Sequence, residues 1–199
     1  MARVDMEVRS FIAESIKIET RDDKSRIIVG HSAVFGKLSE DFGGYREQIQ
    51  AGAFADSVKN DDVVALFNHD PNLVLGRKSA KTLRMSEDET GLSVEIAPPD
   101  TQMARDLMTS IDRGDIRGMS IGFNINPGGS TWMEDAAGMV IRTLTSVRLY
   151  DVSPVTFPAY PQTDVALRSL AEYRKSLPKN DAQWHINLLK RYLECDILA

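Results

Sequence analysis

Arg117-Gly118-Met119-Ser120-Ile121-Gly122-Phe123 sets one hydroxyl between two glycines at the start of a run that reads as a β-strand. The residues before it, Asp100 to Arg113, have helical spacing, so this serine opens a strand after a helix. The Gly-x-Ser-x-Gly elbow of α/β-hydrolases needs a strand, then the serine, then a helix. The order here is different, and the motif is not that elbow. Gly118 and Gly122 let backbone or substrate come close. Gly118 and Met119 are candidates to aim backbone N–H groups at a developing oxyanion.

Outward from this stretch the first two-thirds of the chain read as β structure. Strands are expected over Val8 to Ile18, Arg26 to Phe35, Tyr45 to Ile49, Asp62 to Phe67 and Leu73 to Arg77. Thr82 to Ser86 and Leu92 to Ile96, separated by Glu89-Thr90-Gly91, read as a hairpin. Gly52 to Lys59 reads as a short helix. In the helix before the serine, Asp100 or Thr101 is the N-cap, Met103, Leu107, Met108 and Ile111 share a face, and Gly114 is the stop. Met119 to Ile125 is a strand and Asn126 to Gly138 a polar loop carrying Trp132. Met139 to Leu149 and Val152 to Phe157 are two strands or one bent strand. Beyond Pro161, Val165 to Leu177 and Ala182 to Leu198 have helical spacing. Trp184, Leu188, Tyr192 and Cys195 form a stripe suited to packing on the β body or to docking and dimerisation.

The expected organisation is a β domain over residues 1–161 and a helical segment over 162–199 that packs, dimerises or contacts a scaffold. At 199 residues, 42% apolar and 27% charged, the chain has the composition of an ordinary soluble domain with a full core. The net charge of −5 argues against nucleic acid as the main partner. Cys195 is the only cysteine, which excludes an intrachain disulfide. No apolar run approaches the ~20 residues of a membrane span, and the N-terminus has no signal-peptide core. The chain is expected to stay in the compartment where it is made.

A serine hydroxyl needs a neighbouring base to become a nucleophile, and histidine is the usual one. There are three histidines. His69 ends an apolar run inside Asn68-His69-Asp70-Pro71 and belongs at a sheet edge or cleft. His31 lies within a strand, and His185 lies on the terminal helix. Asp151, between Leu149-Tyr150 and Val152, is an acid in apolar surroundings that needs a partner. It is either a structural hydrogen-bonding group, with Arg148 one possible partner, or the group that orients an imidazole. No second histidine stands at metal-ligand spacing from His69. No Gly-rich phosphate loop joins a strand to a helix. Neither a metal nor a cofactor is expected.

Several segments, in order, resemble the HK97-type prohead proteases, the capsid maturation proteases of tailed bacteriophages. They are Gly30-His31-Ser32-Ala33-Val34-Phe35, Glu47-Gln48-Ile49-Gln50-Ala51-Gly52-Ala53-Phe54, Ala65 to Asp70, Val74-Leu75-Gly76-Arg77 and Pro99-Asp100-Thr101. Gly114 to Phe123 and Asp151 to Tyr160 complete the set, which runs over roughly residues 8 to 168. The resemblance implies a serine protease with Ser120 as nucleophile, His69 as base and an acid as third member. It implies a closed, largely antiparallel β-barrel of the herpesvirus assemblin type, with helices packed outside. The family's acid is commonly glutamate. Asp151 is one methylene shorter, a reach of about 1.5 Å. Assemblins use a second histidine there, which makes His31 the alternative third member. Assemblins also recruit an arginine region to the oxyanion, which points to Arg142 or Arg148.

The function expected from this resemblance is an endopeptidase acting inside the assembling procapsid in the host bacterial cytoplasm. Its substrates would be the scaffolding segment of the major capsid protein and the protease itself. The terminal helices are the expected place for self-cleavage and for a homodimer contact. Two other classes fit some of the residues: a non-catalytic capsid-assembly or scaffold protein on the same fold, and an unrelated soluble esterase or amidase.

Overall fold

The computed structural model describes residues 7–12, 16–135, 138–157, 170–171 and 173–175. In chain order the elements are β1 (Glu7–Ile12), β2 (Lys17–Thr20), β3 (Arg26–Val34), β4 (Arg46–Ile49), α1 (Ala55–Asn60), β5 (Val64–Phe67) and β6 (Asp70–Arg77). They continue with β7 (Leu83–Glu87), β8 (Gly91–Ile96), α2 (Gln102–Asp112), β9 (Gly118–Ile125), β10 (Ser130–Glu134), β11 (Val140–Leu144) and β12 (Val147–Val155).

The expectation of a mainly β protein with few helices fits; the closed antiparallel barrel does not. The described strands form three open sheets, ordered β1-β9-β12-β5-β6, β10-β11-β4 and β2-β3-β8-β7. A barrel requires one continuous ladder whose last strand returns to the first. Here each ladder ends in two unjoined edges. Two pairings, β4 with β11 and β5 with β12, are parallel rather than antiparallel. The expected single strand over Val8 to Ile18 divides between sheets: β1 pairs with β9, and β2 pairs with β3.

The sheets share one core. Phe54, Phe123, Ile28, Leu75, Leu92, Ile96, Met119, Ile121 and Leu149 are among its fully buried side chains. β9 supplies Met119, Ile121 and Phe123 at alternate positions, the period-2 pattern of a strand with one face on the core. Gly91 is required by close approach, since a Cβ there would lie 1.9 Å from the Ala33 carbonyl oxygen. The helices lie outside. α2 is capped by Thr101, whose hydroxyl accepts the Ala104 N–H at 3.3 Å, and it buries Ala104, Leu107, Met108 and Ile111. It ends at Gly114, φ +79°, as the stop signal predicts. α1 is held to β12 by the Leu149 N–H, which donates to Ser57 Oγ at 2.7 Å.

The polar stretch expected as a loop contains β10, paired antiparallel to β11. Its anchor is Trp132, which packs on Tyr45 and Tyr173 and lies under the Arg142 guanidinium at 5.3 Å. Of the segment after Pro161, residues 170–171 and 173–175 are described, and they are helical. Leu170 is buried in a small cluster with Phe42, Tyr45 and Val140. The stripe from Trp184 to Cys195 and His185 lie outside the described residues.

Candidate active site

Ser120 is the third residue of β9, held between β1 and β12. On β12 the register sets Ser153 opposite Ser120 and Asp151 opposite Gly122, so Asp151, Ser153 and Ser120 share a sheet face. A β-bulge makes this so. Leu149 pairs with Phe123, and the next pairing is Asp151 with Gly122, leaving Tyr150 unpaired. Without that extra residue the strand would run one position out of phase, turning Asp151 onto the core face.

His69 sits at the tip of the β5–β6 hairpin. Phe67 pairs with Asp70, which leaves Asn68 and His69 as a two-residue turn, both with positive φ (53° and 57°). That is the left-handed geometry of a type I′ turn, which favours Asn at the first position and normally Gly at the second. A histidine there is strained, and the tip is held by its neighbour. The Asn68 N–H donates to the Pro154 carbonyl at 3.0 Å. Asn68 Oδ1 accepts the Thr156 N–H at 2.9 Å, and Asn68 Nδ2 donates to Thr156 Oγ1 at 3.2 Å. The turn is thereby clasped to the end of β12 and places its imidazole over the Asp151–Ser120 face.

The result is a linear series. Asp151 Oδ1 lies 2.5 Å from His69 Nδ1, and His69 Nε2 lies 2.7 Å from Ser120 Oγ. With its Nδ1 hydrogen on the carboxylate, the neutral imidazole presents the Nε2 lone pair to the serine. The arrangement can take the hydroxyl proton and stabilise the imidazolium that results. Ser120 and Asp151 are buried, and His69 keeps 18% of its side chain exposed. Asp151 Oδ2 is buried and accepts no hydrogen bond from the described residues. Among the described residues the hydrogen bonds to the carboxylate pass through Oδ1, which also accepts from Ser153 Oγ at 2.8 Å.

His31, Arg142 and Arg148 are placed apart from this series. His31 bonds Asp88, Nε2 to Oδ2 at 2.8 Å, on the β2-β3-β8-β7 sheet. That contact lowers the Asp88 carboxyl below its ordinary range. Arg142 lies in a buried charge cluster, contacting Glu7 and Glu47 at 3.3 Å. Glu7 stands opposite Phe123, on the β9 face away from Ser120. Arg148 is mostly exposed, over Tyr150 and 3.6 Å from Asp61. Gly118 and Met119 are paired on both sides, with Ile12 and Phe11 of β1 and with Val155 and Pro154 of β12. Among the described residues no group of His, Cys, Asp or Glu could hold a metal ion, and no helix is long and apolar enough to cross a membrane.

Sequence reasoning assigned no role to Ser153 or to the Asn68–Thr156 clasp. The alternation of Asp151 and Ser153 was the available signal for the first. The second joins residues 88 apart in sequence and had none.

A family model described as "Caudovirus prohead serine protease" matches residues 14–176. The prohead protease of Enterobacteria phage HK97 is 30% identical over 161 residues, covering 79% of this chain and 66% of that protein's length. Among solved structures, the capsid assembly protease of bacteriophage T4, gp21, aligns with a TM-score of 0.50 at 11% identity. That alignment covers 75% of this chain and 96% of the other, a likeness of fold. With a motif-bearing strand, hairpin tip and bulged strand all inside the matched region, the chain belongs to the caudovirus prohead serine protease family.

Proposed function

We propose that this chain is a serine endopeptidase of capsid maturation, with Ser120 as nucleophile, His69 as general base and then general acid, and Asp151 as the group that orients the imidazole and stabilises the imidazolium that forms. The single observation that carries the reading is the series Asp151–His69–Ser120 at 2.5 and 2.7 Å. Ser120 attacks a peptide carbonyl, His69 takes its proton and returns it to the leaving amine, and water then resolves the acyl-enzyme. The substrate is the scaffolding segment of the major capsid protein, reached inside the procapsid in the host cytoplasm. Confinement in the shell raises the effective concentration of enzyme and substrate, so modest intrinsic activity suffices.

The test is co-expression with the cognate capsid protein. Wild type is expected to shorten the capsid protein, and Ser120→Ala and His69→Ala to leave it full length. Unchanged processing by Ser120→Ala would overturn the nucleophile assignment.

A further inference from the structure

The main-chain carbonyl oxygen of Arg9 lies 3.0 Å from Ser120 Oγ. It belongs to a peptide bond, the electrophile of a peptidase, and it is supplied by the chain itself. β1 runs antiparallel along β9, from Glu7 opposite Phe123 to Ile12 opposite Gly118, with Ser10 opposite Ser120. Among the described strands it is the edge of its sheet. Extended peptides commonly bind by adding a strand to a sheet edge, and β1 fills that track beside the nucleophile. While it is paired, Ser120 is 0% exposed and no second peptide can take the same edge.

The Arg9 side chain occupies a built pocket on the other face. Its Nε donates to Glu47 Oε1 at 2.5 Å, and its guanidinium lies 5.1 Å from the Phe42 ring centre and 5.7 Å from that of Phe123. Glu7 and Arg142 complete a buried cluster of two anions and two cations. Glu7 and Arg9 enter on β1, whereas Glu47 and Arg142 enter on β4 and β11, which pair those two residues directly. If β1 leaves, it takes one charge of each sign. The Glu47–Arg142 contact at 3.3 Å remains as a balanced pair, which is what a buried charge requires.

We propose that β1 is this enzyme's own first substrate: the Arg9–Ser10 bond is a self-cleavage site, and the Glu47 pocket selects a basic side chain at the residue before the scissile bond. The inference rests on Ser120 being the nucleophile of a peptidase. The Ser120 hydroxyl now donates to the carbonyl oxygen. For attack it turns its proton to His69 Nε2, and Oγ moves from the oxygen to the carbon about 1.2 Å away. The Oγ–C bond forms as the hydroxyl proton passes to His69 Nε2. The C–N bond then breaks, and His69 gives that proton to the Ser10 nitrogen. Water, losing a proton to His69, attacks the acyl carbon. The C–Oγ bond breaks, Ser120 Oγ takes the proton back from His69, and Arg9 is left with a free carboxylate. Ile121, opposite Arg9, is the residue after the nucleophile, a position whose backbone N–H serves the oxyanion in other serine hydrolases. Departure of the segment ending at Arg9 frees the β9 edge beside Ile121 to Phe123, while Ser10 to Ile12 stay paired with Ser120 to Gly118. A segment from another molecule that fills the vacated stretch must, like Glu7 and Arg9, bring an acid with its basic residue, since Glu47 is already balanced by Arg142.

The experiment follows purified wild type and Ser120→Ala by intact mass and N-terminal sequencing, with capsid-protein processing in co-expression as an independent readout. Wild type is expected to acquire Ser10 as its N-terminus, and Ser120→Ala to stay whole. Arg9→Lys should cleave within about threefold of the wild-type rate and Arg9→Gln at least about tenfold more slowly, since a pocket built for a charged partner rejects one lacking it. A wild type that processes capsid protein while keeping the residues before Ser10 overturns the inference and leaves the peptidase reading standing. A wild type that cleaves neither itself nor capsid protein overturns both.

Discussion

Asp151 reaches His69 Nδ1 at 2.5 Å from a strand whose register is displaced by one residue at Tyr150. The short acid therefore needs no extra methylene. The bulge turns it toward the Ser120 face, and the clasped hairpin brings the imidazole down to it. The contact is buried on the carboxylate side, at 2% exposure, so its electrostatic effect is little screened.

Asp151→Asn removes the charge and permits the wrong imidazole tautomer while leaving the packing intact. Turnover of the capsid substrate is expected to fall about 10³–10⁴-fold with KM changed much less. Steady-state kinetics on a peptide spanning the capsid cleavage site check this. A loss in KM alone would count against an orienting role.

Ser153→Ala deletes the second hydrogen bond to Asp151 Oδ1, leaving the buried carboxylate with His69 as its one donor among the described side chains. The expected loss is about tenfold in kcat. In an Asp151→Asn background the same change should cost little, because groups that act through one another are not additive. A double-mutant cycle reads this directly, and full additivity would show that Ser153 acts by packing alone.

Asn68→Gly keeps the left-handed turn that φ 53° demands but removes both side-chain bonds to Thr156. Activity is expected to drop about tenfold, since small displacements of a reacting group are costly. Asn68→Ala loses the same bonds and adds the strain of a Cβ at positive φ, roughly a further 1 kcal/mol of stability. Urea denaturation of the two variants separates the terms.

Burial pushes the Tyr45 hydroxyl up from 10 to about 12. A group whose folded value is raised contributes stability that is present below its unfolded value and is lost as pH rises through the folded one. The fold should therefore weaken between about pH 10 and 12, and Tyr45→Phe should remove that component. Among the described residues the Tyr45 hydroxyl has no hydrogen-bond partner. Its removal at neutral pH is thus expected to be neutral or to raise Tm by roughly 1–4 °C. Thermal melts across pH check both statements.

Much of the local structure was legible because it is set by neighbours in sequence. The Thr101 cap, the apolar face of α2 and the Gly114 stop follow from residues one turn apart. The β7–β8 hairpin and the alternation of Met119, Ile121 and Phe123 follow from the period of a strand. Ser120, His69 and Asp151 stood out by residue type, glycine context and the order of family segments. β10 was misread as loop because Ser130 to Glu134 is polar, and its strand rests on Trp132 meeting Tyr45 and Tyr173 from distant segments.

Two things were decided by tertiary structure. Sheet closure depends on which strand edges meet, and strand periodicity carries no information about partners. The N-terminal run could thus be read as strand but not as two strands in separate open sheets. The geometry of the Asp151–His69–Ser120 series depends on a bulge, a left-handed turn and a clasp between residues 88 apart, none of them a property of a local segment. The sequence by itself determined which groups were candidates for the chemistry, because a hydroxyl, an imidazole and a carboxylate are properties of residue type. Their alignment, and the Arg9 carbonyl beside Ser120, came from long-range strand pairing, which exists only once the chain has folded.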